Sequence, residues 1–241
     1  MPDANPISSE TLEVLRKIPT QTLIDGLWVM GWPMSFIHGA KPLQAGQHMA
    51  GRAVTLRFVP HRPDLAADKP KGDQSAEYVA IELCGPEEVL VIDAMGWEYS
   101  SIGGDIKFLR MMQLKAGGLV TDGAARDSNT LKGYGFPVYA ANTTAKQGPA
   151  EFWPWQVNDA IQCGRVLVRP GDAVVGDDDG AVVVPAAAVD EVISIAHERE
   201  EVEEVIKAQL EIEQCSPGKY YPFNDLTWQL LEEKTGKKWT G

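Results

Sequence analysis

The sequence predicts an α/β protein that combines a parallel part with an antiparallel part. Helical and strand-like segments alternate between residues 74 and 139, which is the order found in β-α-β units. Short apolar runs separated by tight turns then follow one another through residues 165–184, a pattern typical of antiparallel strands. A long amphipathic segment at residues 186–213 predicts a helix after the last strand, with a glutamate-rich exposed face.

The N-terminal part of the chain predicts two short helices and one strand. Residues 9–31 carry apolar side chains at helical spacing, with Ser9 or Thr20 as an N-cap and Gly31 as the stop. The run at residues 49–59 is rich in β-branched and aromatic side chains and therefore predicts a strand.

The alternating part begins after a polar loop. Residues 74–83 predict a helix, and the apolar residues 88–93 predict a strand. Residues 106–116 have helical spacing, and residues 119–121 predict the strand that follows them. Residues 122–127 then form a predicted loop at the end of a strand, where α/β proteins usually carry their chemistry.

The second half predicts shorter elements. Residues 135–139 predict a strand, whereas the Pro- and Trp-rich residues 147–158 predict a long loop. Three further short strands are predicted at residues 165–168, 173–175 and 181–184. After residue 218 we expect an aromatic tail to pack on the body of the protein or on a neighbouring subunit; it contains Tyr220, Tyr221, Phe223, Trp228 and Trp239.

Composition and charge argue against several kinds of partner and location. The 241 residues include 34 acidic and 22 basic side chains, and the net charge of −12 argues against nucleic acid or an anionic membrane as a partner. No apolar run approaches the roughly 18 residues of a membrane span, and the first 17 residues lack the features of a secretion signal. We therefore expect a cytoplasmic protein. Its scattered cysteines predict reduced, buried or half-buried thiols; they are Cys84, Cys163 and Cys215.

The segment from Gly103 to Asp127 is the main candidate site. Gly103 and Gly104 allow backbone to approach a ligand, and they precede a predicted helix N-terminus whose free N–H groups favour a carboxylate. Arg126 offers a planar fork for a carboxylate or keto oxygen, and Asp127 is a hard oxygen ligand suited to Mg²⁺ or Mn²⁺. The alternative is a surface Arg–Asp pair that caps the following helix.

The other candidate sites are explained more simply by structural roles than by functional ones. The acidic residues 177–179 lie between glycines and predict a solvated hairpin turn rather than a cation site. Lys107 lies beside the carboxylate-binding turn and could form a Schiff base, although a solvated or charge-neutralising lysine is the commoner arrangement. The glycine pairs do not form a nucleotide-binding fingerprint.

Several blocks together resemble one protein family. The run GGDIKFLRMMQLKAGGLVTDGAARD is followed by GFPVYA, by RPGDAVVGDDDGAVVVP and by the glutamate-rich helix. This order resembles the RraA-like family, which includes 4-hydroxy-4-methyl-2-oxoglutarate aldolases, over roughly residues 15–212. The active-site signature of that family is an aspartate, twenty intervening residues and an Arg-Asp pair, which Asp105, Arg126 and Asp127 match.

The resemblance implies a fold and an activity. The fold would be a single compact α/β/β domain over residues 1–215, similar to the swivelling phosphohistidine domain, with residues 216–241 as an extension. The activity would be that of a class II pyruvate aldolase that depends on a divalent metal, Mg²⁺ first and Mn²⁺ as the alternative. Such an enzyme cleaves a 4-hydroxy-2-oxo acid to pyruvate and also decarboxylates oxaloacetate.

The resemblance also assigns roles. Arg126 would hold the 2-oxo acid, Asp127 would anchor the metal, and Asp105 would position a water or Arg126. The carboxylate of the substrate would meet the backbone amides of the first helical turn, which are those of Gly104, Asp105, Ile106 and Lys107.

Family members resemble one another in forming homotrimers or hexamers, with a glutamate from the neighbour's C-terminal helix entering the site. Here Glu203 is the choice among Glu200, Glu201, Glu203 and Glu204, whose alternative is a solvated helix face. A non-catalytic regulator that binds a ribonuclease, as RraA itself does, is the competing function. Lys107 and the bulky residues 151–155 depart from the family pattern and suggest a different acceptor half of the substrate.

Overall fold

The computed structural model describes residues 6–238, which form a curled mixed sheet with helices on its outside. Nine strands belong to the main sheet, in the order β1-β6-β5-β3-β2-β10-β11, with β4 beside β5 and β7 beside β2. The strands are β1 (Lys41–Pro42), β2 (Met49–Pro60), β3 (Glu88–Asp93), β4 (Ser101–Gly103), β5 (Gly118–Ala125), β6 (Val138–Thr143), β7 (Phe152–Val157), β8 (Ile161–Cys163), β9 (Val166–Val168), β10 (Ala173–Asp177) and β11 (Gly180–Val184). The helices are α1 (Ser9–Leu15), α2 (Thr20–Val29), α3 (Ala76–Glu82), α4 (Asp105–Leu114), α5 (Ser128–Lys132), α6 (Val189–Glu213) and α7 (Asp225–Thr235).

Both predicted halves of the sheet are present. Strands β2, β3, β5 and β6 pair in parallel, and α3, α4 and α5 lie in the crossovers between them. Strands β10 and β11 form an antiparallel hairpin, and β10 also pairs antiparallel with β2. The carboxyl ends of the parallel strands therefore meet at one edge of the sheet.

The sheet curls until its two ends approach each other. Lys41 on β1 donates a 2.6 Å hydrogen bond to the carbonyl oxygen of Asp179, in the turn before β11. The inside of the curl is packed with buried side chains such as Met49, Val91 and Tyr139. The sheet is therefore a nearly closed barrel.

The outer helices cover the barrel in two groups. Helices α1, α2 and the start of α6 pack on β10 and β11 through residues such as Leu23, Val182 and Val192. Helices α3, α4 and α5 pack on the parallel strands, with Phe108 buried among them. Within residues 6–238, no helix combines the length and the apolar character that crossing a bilayer requires.

The structure corrects two predicted loops. Residues 152–157, predicted as loop, form β7, which lies on the edge of β2 and packs Phe152 on Phe58 at a ring separation of 4.9 Å. Strand β5 continues to Ala125 through the predicted loop at residues 122–127. Its Asp122 is tolerated in a buried strand because the carboxylate accepts hydrogen bonds from several N–H groups, those of Ala94, Gly96, Gly164 and Gln162.

The predicted helix caps and one predicted strand start differ from the structure by one residue. Ser8, not Ser9, caps α1 and accepts the N–H of Thr11 at 3.2 Å. Thr20 is the first residue of α2, not its cap. The predicted strand at residues 165–168 begins one residue later, because Arg165 has a φ of 70°, and it pairs with β8 in a separate ribbon.

The aromatic tail packs on the body of the protein. Residues 225–235 form α7, a helix that the sequence reading did not predict. Tyr220, Leu230 and Leu231 are buried against the second half of α6, where Val202 and Ile206 face them. Trp239 lies outside the described residues.

The cysteines agree with the expectation of free thiols. Cys84 and Cys163 are buried and Cys215 is half-buried, and none of them forms a disulfide. Burial raises the pKa of the Cys84 thiol to about 12 and raises the pKa of the Cys163 thiol as well. Both side chains are therefore protonated packing residues at neutral pH.

The acidic turn at residues 177–179 is only partly solvated, which corrects the prediction. Asp178 and Asp179 are exposed, but Asp177 is 8% exposed. Its carboxylate accepts the N–H and the hydroxyl of Thr20, each at 2.9 Å. Asp177 therefore binds the N-terminus of α2 to the β10–β11 hairpin.

We expect Asp177→Ala to lower the free energy of unfolding by about 2 to 3 kcal/mol, because it leaves buried donors at a helix N-terminus without an acceptor. Denaturant unfolding measures the change. Asp179→Ala, two residues away and exposed, is the matched control and should cost less than about 0.5 kcal/mol. Equal losses in the two variants would contradict this role of Asp177.

Candidate active site

Two helix N-termini meet at the carboxyl end of β5. Strand β4 pairs in parallel with the end of β5, with Gly103 opposite Ala125, and the N–H of Arg126 donates to the carbonyl oxygen of Gly103 at 3.0 Å. Helix α4 begins two residues after Gly103, and α5 begins at Ser128, three residues after Ala125. The sheet therefore brings together the segments that carry Asp105, Arg126 and Asp127, as the sequence predicts.

Asp127 joins the two helices through its side chain. It occupies the residue before α5 with a φ of 56°, but its carboxylate accepts no hydrogen bond from that helix. Instead, Oδ2 accepts the N–H of Asp105 at 3.3 Å and lies 3.4 Å from Nε of Arg126. The alternative interpretation, in which the side chain caps the following helix, is wrong.

The contact between Asp127 and α4 requires that residue 104 has no side chain. A Cβ built on Gly104 would lie 2.1 Å from Oδ2 of Asp127 and 2.7 Å from Cγ of Arg126. Real Cβ atoms do not approach that closely, so a side chain at this position would displace both groups. Gly104 is needed here for space, since its φ of −145° is open to any residue.

The first turn of α4 already binds carboxylate oxygens. The N–H of Asp105 donates to Asp127, and the N–H of Ile106 donates to Oδ1 of Asp105 at 2.7 Å. These oxygens lie where the free amides and the dipole of a helix N-terminus favour an anion. In this structure the two aspartate side chains are therefore the anions at this helix N-terminus.

Tyr134 is a site residue that sequence reasoning missed. Its hydroxyl donates to the carbonyl oxygen of Asp105 at 3.1 Å and so connects the segment after α5 to the first turn of α4. The spacing of residues in the sequence gives no signal for this contact.

An open cleft of about 440 Å³ lies beside these groups. The side chain of Arg126 is 42% exposed and that of Asp127 is 33% exposed, so both are accessible to a small molecule. The far wall comes from the end of β6, which the sequence reading also missed, although it is a parallel strand end. The cleft is lined by Arg126, Asp127, Ser128, Asn129, Thr130, Thr143, Thr144 and Ala145.

The side chains of two predicted site residues are engaged outside the cleft. The ammonium group of Lys107 forms an ion pair with Glu77 on α3. Glu203 lies on α6, where it pairs with Lys207 at 3.6 Å, and α6 packs mainly against α2 and α7. Within one chain, the described residues thus bring Asp105, Arg126 and Asp127 together but not Glu203.

Comparisons with known proteins identify the family of this chain. The sequence profile of the RraA-like family, described as Aldolase/RraA, matches residues 20–183. The chain belongs to the RraA-like family. A Halalkalibacterium halodurans protein named "Putative 4-hydroxy-4-methyl-2-oxoglutarate aldolase" is 32% identical over 185 residues, which cover 77% of this chain and 81% of that protein.

Two solved structures share the fold. Streptomyces coelicolor RraAS2, described as an unusual member of the RNase ES inhibitor RraA family, superposes with a TM-score of 0.74 at 31% identity, over 83% of this chain and 96% of that one. A Pseudomonas syringae pv. tomato protein gives a TM-score of 0.72 at 22% identity, over 89% and 98% of the two chains. The predicted fold class, a single mixed α/β domain with a C-terminal helix, is confirmed.

The donor set of this RraA-like chain fits a water-rich divalent ion. Among residues 6–238, no group of three or more His, Cys, Asp or Glu side chains is arranged to hold a metal. Asp127 keeps its Oδ1 without a hydrogen bond from the described residues, and Asp105 adds a second carboxylate on the neighbouring turn. Mg²⁺ commonly binds through one or two carboxylates and retains several waters, so these residues fit it.

We expect Gly104→Ala to separate Asp127 from α4, because the new Cβ takes the space of its carboxylate. The Asp105 amide should then exchange its hydrogen about 10-fold faster, as read by hydrogen exchange. Gly218→Ala is the control, since its Cβ would make an ordinary 3.5 Å contact with Ser216. Unchanged protection of the Asp105 amide would contradict the role given to Gly104.

Proposed function

We propose that this protein is a divalent-metal-dependent pyruvate lyase that cleaves a 4-hydroxy-2-oxo acid to pyruvate and also decarboxylates oxaloacetate. The observation that carries the proposal is that Arg126 and Asp127 line one accessible cleft, while the carboxylate of Asp127 also accepts the N–H of Asp105 in the first turn of α4. A structural Arg–Asp pair would not need a glycine that leaves room for the carboxylate, nor a carboxylate turned away from its own helix.

The proposed reaction needs positive charge at the position where the negative charge of an enolate develops. Cleavage of the bond next to a pyruvyl unit leaves an enolate, and oxaloacetate gives the same enolate when it loses CO₂. A bound divalent cation supplies Lewis-acid stabilisation of that charge. Arg126 adds a fixed guanidinium that donates to the 2-oxo group or its carboxylate, and the α4 amides fix the carboxylate end.

Four residues of the proposed site have roles besides that of Arg126. Asp127 anchors the metal, and Asp105 positions a water or Arg126. Lys107 contributes its backbone amide, because its side chain is engaged by Glu77. Glu203 enters from a second copy in a homotrimer or a hexamer, since α6 of the same chain packs against α2 and α7.

A second candidate function is regulation of a ribonuclease by protein contact. It is favoured by the likeness to RraAS2, which is described as an unusual member of the RNase ES inhibitor RraA family. That function needs no intact cleft. Retention of ribonuclease binding in Arg126→Ala, together with no lyase activity in the unmodified protein, would support it over the enzyme.

The lyase is tested by pyruvate release from oxaloacetate and from 4-hydroxy-4-methyl-2-oxoglutarate, with Mg²⁺ and with EDTA. We expect release that EDTA abolishes, and a loss of about 100- to 1,000-fold in kcat/KM for Arg126→Ala, because the charge it stabilises develops in the transition state. Arg110→Ala is the matched control, since Arg110 lies on α4 but pairs with Glu82 outside the cleft. Equal activity of the two variants would contradict the proposal.

A Schiff-base mechanism at Lys107 gives a different result. It predicts a covalent adduct after treatment with pyruvate and borohydride, and activity that survives EDTA. We expect neither, because the Lys107 ammonium is held by Glu77. Mass spectrometry of the treated protein reads the outcome, and an adduct on Lys107 would overturn the metal-dependent route.

A further inference from the structure

A second cleft lies between the loop after β2, the start of α3 and the edge strand β7. It has a volume of about 390 Å³ and shares no lining residue with the cleft of Arg126.

The charges around this cleft do not balance. Lys69 and Lys71 line it, and the one lining carboxylate, Glu77, is engaged by Lys107. Among residues 6–238, the ammonium group of Lys69 has no hydrogen-bond or ion-pair partner; it lies 4.8 Å from the centre of the Trp153 ring. The lining residues thus carry one more positive than negative charge on a chain of net charge −12, although Asp68 and Asp73 adjoin them in the sequence.

The position of Lys69 is electrostatically strained. Partial burial lowers its pKa, and the positive charges of Lys107 and Lys71 lower it further, against an opposing effect of Glu77. An anion in the cleft would relieve both effects, because it would offer the ammonium group an acceptor and an opposite charge.

The walls of the cleft are apolar and partly rigid. Trp153 is 8% exposed and is held in place by a 3.2 Å hydrogen bond from its Nε1 to the carbonyl oxygen of Pro149. Tyr78 is 37% exposed and faces the cleft together with Pro70. Ser75 is 5% exposed and adds a hydroxyl that is not used to cap α3.

We propose that this cleft is a second small-molecule site, which binds an organic anion through Lys69 and Lys71 and packs the apolar part of the ligand against Tyr78 and Pro70. The anionic group is a carboxylate or a phosphate ester. Specific sites of this size combine apolar walls with a few polar groups that fix orientation, as this one does. The proposal is independent of the lyase activity.

The test is isothermal titration calorimetry of the full-length Arg126→Ala variant, so that the first cleft does not contribute its guanidinium. The probes are benzoate, phenyl phosphate and the uncharged benzyl alcohol. We expect millimolar binding of at least one anion and binding of benzyl alcohol at least about 10-fold weaker. A preference for benzoate identifies a carboxylate ligand, and a preference for phenyl phosphate identifies a phosphate ester.

Second-site variants in the same background locate the binding. Lys69→Ala should weaken anion binding about 10-fold, and Lys69→Arg should retain it, because the charge is what the anion needs. Lys238→Ala removes an exposed lysine on the far C-terminal segment and should change nothing. Anion binding that is undetectable up to about 10 mM, equal to that of benzyl alcohol, or unchanged in Lys69→Ala would overturn the proposal.

Discussion

The contact between the Asp127 carboxylate and the first turn of α4 is the constraint on which the candidate site depends. An aspartate before a helix would ordinarily cap that helix. Here the left-handed backbone at Asp127 and the absent Cβ of Gly104 direct the carboxylate to the neighbouring helix. The N-terminus of α4 is thereby held one hydrogen bond from the residue that precedes α5, and the same carboxylate oxygen also faces the guanidinium of Arg126.

The barrel makes this arrangement possible. Parallel pairing of β4, β5 and β6 places the ends of three strands at the same edge, and the ends of β5 and β6 lead into the walls of the cleft. The antiparallel half contributes rigidity rather than site residues. Asp177 binds the hairpin to α2, and the buried amides around Asp122 allow β5 to continue up to the residue before Arg126.

Periodicity predicted much of the fold, since the alternation of segments predicted the parallel half. The resemblance to the RraA-like family, rather than spacing alone, assigned Asp105, Arg126 and Asp127 to one site. Contacts between residues that are far apart in the sequence could not be predicted from periodicity or spacing. The edge strand β7 was predicted as loop because its segment contains Pro149 and Pro154. The hydrogen bond from Tyr134 to Asp105 depends on how two helices are oriented. The direction of the Asp127 side chain depends on φ, which spacing does not reveal.

The most direct test of the account is exchange of the pyruvate methyl protons for deuterium, followed by proton NMR in D₂O with Mg²⁺. Exchange requires the enolate but no knowledge of the natural acceptor, so it isolates the role given to Arg126 and Asp127. The account predicts exchange well above the background rate for the unmodified protein, and background exchange for Arg126→Ala and Asp127→Asn. Background exchange in the unmodified protein, or equal exchange in all three proteins, would contradict it.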